Sequence, residues 1–297
     1  MQAAVRPQSP PELSPAQARP PLADTSALPA VVLAQSARSR RVQVLILRVL
    51  VVVLLFGSWE LSARLGWVKP LFTSQPSAIF PALWNSLRGS LILVDLPVSM
   101  YEMLAGFLIG STLGIGVGLV LHEFPLANDV FQPFLTAFNS MPRIALAPLF
   151  VLWFGLGPPS KIVLVVSLVF FIVVVNTMAG LKASDRDYLL LARTLGASRW
   201  TTFRKFVFPA ATPTIFAGLQ LGLVYSLLGT IAGEMLGGTG GVGARMAVAV
   251  NTFHTDDFFA ALLFLVILST ALSTLVRRLE LWLLHWRFVE MRGLESR

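Results

Sequence analysis

The residues able to act on a solute are few. Asn139, Ser140 and Arg143 gather around Pro142, Asn176 and Thr177 close a long apolar run, and Gln220, Tyr225, Ser226 and Glu234 mark another. None forms a nucleophile beside a base. His122, His254 and His285 are too far apart for metal-ligand spacing. The chain has no Cys, which removes disulfides, thiolate metal sites and iron–sulfur clusters. No G-x-x-x-x-G-K-[ST] run cradles a phosphate. The chemistry on offer is therefore solvation, in which amide, hydroxyl and guanidinium groups replace water around a solute where lipid forbids it. Asn139, Ser140, Arg143, Asn176, Gln220 and Tyr225 are the candidates to line such a route. Arg143 can attract anions there, although pairing with backbone carbonyls freed by Pro142 is its plainer role. Gln220 and Tyr225 can equally hydrogen-bond between helices. Glu234, just before "MLGGTGGVG", is better suited to ordering that loop than to meeting an anionic solute. The chain reads as carrying no enzyme active site and no cofactor of its own.

A second group of residues suits docking. "ARTLGASRWTTFRKFVFPAATP", Ala192 to Pro213, sets Arg193, Arg199, Arg204 and Lys205 among Trp200, Phe203, Phe206 and Phe208. Locally it reads as helix, turn, helix. Acidic residues in "SDRDYLLLARTL" favour a helix start. Gly196 suits the left-handed residue that closes that helix. Ser198 can cap a second short helix, and Pro209 should stop it. Trp200, Phe203 and Val207 then share a stripe. Such an elbow either anchors its neighbours at the lipid interface or presents a ridge to a partner.

These groups must be held by membrane spans. Of the residues, 55% are hydrophobic and only 13% charged, against about 25% charged in ordinary soluble domains. A span needs about 20 apolar residues, and six stretches qualify: residues 44–65, 98–121, 130–156, 162–181, 215–233 and 258–275. Along the second, Gly106, Gly110, Gly114 and Gly118 recur every four residues, which lets another helix approach closely and places this span inside a bundle. Pro133, Pro142 and Pro148 should bend the third or split it in two. Between the first two spans, Ser77 can cap a short amphipathic helix through Ile79, Leu83 and Leu87, lying at the outer interface. Glu60 and Arg64, four apart, can pair at the outer end of span one. No Asp or Glu lies in the middle of spans two, three, four or six, and no internal repeat is evident, which weighs against a stand-alone carrier driven by an ion gradient.

The net charge of +8 has a membrane explanation, with no nucleic-acid partner required. Basic residues concentrate in the pieces expected inside, including Arg38, Arg40, Arg41, Lys182, Arg199, Arg277 and Arg278, whereas the outer pieces hold Lys69, Arg88, Lys161 and Arg245. That places both termini and the elbow in the cytoplasm. The organisation is then a Pro-rich disordered cytoplasmic tail (1–40), a transmembrane domain in lipid (41–286) containing the elbow (185–209), and a basic cytoplasmic C-terminal tail (287–297).

The spacing of "LLARTLGASRWTTFRKFVFP" resembles the cytoplasmic signature of permease subunits of binding-protein-dependent ABC importers: Glu-Ala-Ala, three residues, Gly, nine residues, Ile-x-Leu-Pro. Ala192 falls on the second Ala, Gly196 on the Gly, Phe206 on the Ile, Phe208 on the Leu and Pro209 on the Pro; Leu190 and Leu191 replace the Glu and first Ala. "NSMPRIALAPLFVLWFGLGPPSKI" and "NTMAGL" are similar to the branch handling nitrate, sulfonates and taurine. The resemblance covers about Val44 to Trp286. It implies an all-α polytopic fold, the type I (MetI-like) permease fold with six core helices, in a bacterial inner membrane. It also implies alternating-access import by a homodimer with two ATPase subunits, which carry the ATP and Mg, fed by a periplasmic solute-binding protein. Ala192, Gly196, Trp200, Phe203, Phe206, Phe208 and Pro209 would make the coupling contact.

Overall fold

The computed structural model describes residues 30–183, 192, 194 and 196–283. The first 29 residues of the expected tail, most of the elbow's first helix and the C-terminal tail lie outside the described residues. Every regular element among the described residues is helical. Five helices are long and apolar enough to cross a membrane, and a bent pair makes a sixth span.

The chain divides into two compact units, Met1–Ser58 and Trp59–Arg297. In the first, helix α1 (Ala30–Arg64) begins earlier than the expected tail boundary. The last proline of the Pro-rich stretch is Pro29, and "AVVLAQSARSRRVQ" beyond it is made mostly of residues a helix accepts. The end of α1, residues 59–64, belongs to the second unit. There Glu60 pairs with Arg64 at 2.7 Å and also accepts from Ser77 N at 3.0 Å and Ser77 Oγ at 2.8 Å. Glu60 thereby serves the open N-terminus of α3 (Pro76–Arg88). Ser77 is not its N-cap as expected. Pro76 takes the first helical position, where its missing N–H costs nothing, and moves the cap to Gln75. The face carrying Ile79, Leu83 and Leu87 turns inward.

The bundle is built around α4 (Leu96–Glu123), α7 (Pro158–Lys182) and α9 (Phe208–Gly237). A Cβ added at Gly106, Gly110, Gly114 or Gly118 would lie 2.5–3.0 Å from the Cβ of Val165, Val169, Val173 or Thr177, respectively. Steps of four on α4 meet steps of four on α7 in the same direction, so the two helices run parallel with a shared ridge. Close backbone approach of this kind replaces the hydrophobic drive that lipid cannot supply. Helix α9 packs against the same valines of α7 and also touches α4 through Phe107; Gly218 abuts Asn176 and Gly233 abuts Lys161, which makes α9 antiparallel to α7.

The third span is broken. Helix α5 (Pro125–Ser140) ends at Met141, and a 3₁₀ turn over Arg143–Leu146 leads into α6 (Ala147–Phe154), bent 80° from α5. Pro142 forces Met141 into an extended conformation (φ −74°, ψ 134°), and Pro148 sits in the first turn of α6. Beyond α9, the expected Gly-rich loop is a short link over residues 238–241, and it leads into a helix not expected from the sequence, α10 (Val242–Asn251), followed by α11 (Thr255–Leu283). The short α2 (Pro70–Thr73) docks on α11 through Ser74, whose hydroxyl donates to Asp256 at 2.5 Å.

Candidate functional site

At one end of the bundle stands the elbow. Gly196 adopts φ +70°, and Ala197 N donates to Ala192 O at 3.0 Å, the bond that closes a helix across a left-handed residue. Ala192 is buried. Ser198 caps α8 (Arg199–Thr202), accepting from Thr201 N at 3.2 Å. Both local expectations hold, but that for Pro209 does not. No stop occurs there: α8 passes through a widened π turn (Phe203–Val207) into α9, and Pro209 occupies the first turn of α9. Phe208 N bonds to Phe203 O, five residues back, and this widened turn takes in a proline that has no N–H to give.

The rings form a connected ridge. Trp200 stacks on Phe203 with centroids 5.9 Å apart, and Phe203 meets Phe208 at 6.0 Å. Trp200 is 69% exposed, and Phe206, Phe208, Arg199, Arg204 and Lys205 are also exposed. Val207, expected on the same stripe, is buried with Leu181, Ala211 and Ile215, and Phe203 packs against that cluster, so the stripe runs from exposed Trp200 into the bundle. A groove of about 530 Å³ separates the ridge from the end of α4, between Leu119, His122 and Phe124 on one wall and Arg199, Trp200 and Phe203 on the other. An exposed ridge beside a groove is a docking shape.

Midway along α7 and α9 lies a second feature, a cavity of about 410 Å³. Four of the six candidate pathway residues meet there: Asn139 and Arg143 from the helix break, Asn176 from α7 and Tyr225 from α9. Ser140 and Gln220 do not line it, and Ser140 spends its hydroxyl on Thr136 O at 3.0 Å. The local reason for Arg143's position is Pro142, which cannot donate to the carbonyl four residues back. That carbonyl, Phe138 O, instead accepts from Arg143 Nη2 at 2.9 Å, as the plainer reading requires. Nη2 also donates to Asn139 Oδ1 at 3.3 Å, and the guanidinium lies 4.3 Å over the Phe171 ring. Asn176 Nδ2 donates to Ile172 O at 2.8 Å.

At the end opposite the elbow is a buried cluster in which Glu234 orders the loop, as expected, while Glu102 and Lys161 were not expected there. Glu102, Lys161 and Glu234, from α4, α7 and α9, are each at most 2% exposed. Glu234 Oε1 accepts from Ser99 Oγ and Oε2 from Gly243 N, both at 2.6 Å, while Ser99 Oγ accepts from Val242 N at 2.9 Å. Glu234 thus orders the turn into α10, and Gly241 (φ +98°) must be glycine because a Cβ would overlap the carboxylate. Lys161 Nζ donates to Leu156 O, to Gly157 O at 3.2 Å and to Gly237 O at 2.8 Å. Lys161 had been counted as a loop charge; it is a buried one. The signal for both residues is spacing, since Glu102 lies four before Gly106 and Lys161 four before Val165, continuing the shared ridge by one step.

Comparison with known proteins sets the family. Residues 106–285 match the model of the binding-protein-dependent transport system inner membrane component. The chain belongs to that family. It is a permease subunit of an ABC importer and a multi-pass membrane protein. It is 31% identical to the putative aliphatic sulfonates transport permease protein SsuC of Bacillus subtilis, over 77% of this chain and 83% of that one. It is 32% identical to the formylaminopyrimidine transport permease protein ThiX of Halalkalibacterium halodurans (79% and 93%). It is 28% identical to the taurine transport system permease protein TauC of Escherichia coli (77% and 85%). Among solved structures, the inward-facing MetNI methionine ABC transporter shares the fold at TM-score 0.56 and 19% identity, covering 67% of this chain and 96% of that chain. The permease resembles the nitrate, sulfonate and taurine branch, and its fold is the type I permease fold.

Proposed function

We propose that this permease works as a homodimer with two ATP-binding cassette subunits, importing a small solute of the nitrate, sulfonate or taurine type from a periplasmic binding protein. The elbow faces the cytoplasm, together with both termini, and hydrolysis of ATP with Mg takes place on the partner subunits; this chain is not itself an enzyme. Closure of the ATPases pushes on the ridge of Trp200, Phe203, Phe206 and Phe208, and alternating access follows from the movement of α9. Asn139, Ser140, Arg143, Asn176, Gln220 and Tyr225 border the route.

One observation carries this reading. The exposed, stacked ridge is continuous through the π turn with the helix that borders the central cavity. Gly196→Pro tests it, because proline is held near φ −65° and cannot take the +70° seen here. The full-length variant is expected to insert normally yet lose its ATPase in affinity recovery from membranes. Equal recovery by wild type and variant sinks the elbow assignment. A carrier working alone would instead take up solute in vesicles with an ion gradient and no ATPase.

A further inference from the structure

Arg143 is short of partners. Guanidinium offers five N–H donors and keeps its charge in proteins. In the structure Nη2 serves Phe138 O and Asn139 Oδ1, whereas Nε is buried with no acceptor. The side chain is only 7% exposed. The ion pairs among the described residues are Arg64 with Glu60 and Arg245 with Asp95, so no carboxylate lies within ion-pair distance of Arg143. The cavity that Arg143 lines contains no acidic side chain. A buried cation with an unused donor, no counter-ion and open space beside it is an incomplete site.

We propose that the cavity at the helix break is an anion-binding subsite, in which Arg143 receives the oxyanion group of a small organic anion. Oxyanions suit guanidinium because two oxygens can take two parallel N–H donors. Asn139, Asn176 and Tyr225 add amide and hydroxyl donors around the same space, and Leu168, Ile172 and Leu221 offer an apolar wall to a short hydrocarbon substituent. The ligand class is a short-chain sulfonate, with nitrate as the smallest anion that satisfies the same donors. The subsite deepens the importer reading and rests on it, since it gives the permease a selectivity of its own halfway along the route.

The test uses the full chain in phosphatidylcholine nanodiscs, with saturation-transfer NMR on the methyl group of ethanesulfonate. Saturable binding, displaced by sodium nitrate but not by urea or tetramethylammonium, is expected. Arg143→Met should weaken it by at least about ten-fold, the scale of a lost charge-assisted hydrogen bond, and Arg143→Lys by less. Leu221→Trp, which adds bulk to the cavity wall and leaves Arg143 in the sequence, should also abolish binding, so the test survives a misfolded Arg143 variant. No binding by wild type, or equal binding by well-folded variants, overturns the subsite. ATPase recovery is measured on the same preparations. Its loss with anion binding intact would overturn the importer assembly and leave the subsite standing; intact recovery without anion binding would do the reverse.

Discussion

Among the described residues of this permease two cations are buried, Lys161 and Arg143, and their surroundings differ. Lys161 is met by three backbone carbonyls and stands beside Glu102 and Glu234, which come from two other helices. Arg143 has one carbonyl, one amide oxygen and the face of a ring, with one buried N–H left without an acceptor and a cavity along its side chain. Lipid penalises both alike, so the difference lies in what each is for. A cation whose donors are all taken holds helices together. A cation left short holds its place until something else arrives. Burial alone therefore does not separate architecture from function inside a membrane; the count of partners does.

The largest way to break this contrast is Lys161→Met. It strands the three backbone carbonyls around the buried ammonium, each costing about 1–3 kcal/mol when left without a donor, seen as collapse of the thermal unfolding midpoint in detergent. Near-wild-type stability of the variant would mean that Lys161 is not structural. Next comes Gly106→Leu, one step along the ridge from Glu102. The added side chain meets Val165 and should cost about 1–3 kcal/mol or more as the helices part. Ser99→Ala removes the hydroxyl that joins Glu234 to Val242 N, and the stranded buried groups should cost about 1–3 kcal/mol in the same unfolding assay. Arg143→Met should move stability least of the four, by about 1 kcal/mol for one net hydrogen bond, while solute uptake by the assembled importer falls far more. Parallel losses in stability and uptake would erase the distinction between the two cations.

Much of this organisation is legible in the residues. The glycine ladder, the proline-broken third span and the Gly196–Ser198 elbow each follow from a local rule, and each rule holds in the structure. The failures have physical causes. Pro209 reads as a stop because local rules treat proline as a break, but a π turn just before it converts the break into a helix start. Helix α10 was hidden because "GGTGGVGARMAVAV" announces a turn and is too short to read as a span. Its N-terminus is set by Glu234 and by Ser99, 143 residues away in sequence from the Val242 amide it receives. Glu102 and Lys161 become readable only when the ridge on one helix is laid against the ridge on another. The convergence of Asn139, Arg143, Asn176 and Tyr225, with Ser140 and Gln220 left out, depends on the 80° bend, whose direction no local pattern encodes.

The run from Arg199 to Gly237 is helical throughout, 39 residues long, or about 58 Å at 1.5 Å per residue. It behaves as a pushrod with a worn joint near one end, the widened turn at Phe203–Val207. A tilt of about 5° at Trp200, carried over that length, displaces the far tip by about 5 Å. That tip is Glu234, clamped to the start of α10. Under the proposed mechanism, opening one mouth and shutting the other would be strokes of a single part, and a loosened π turn would uncouple them.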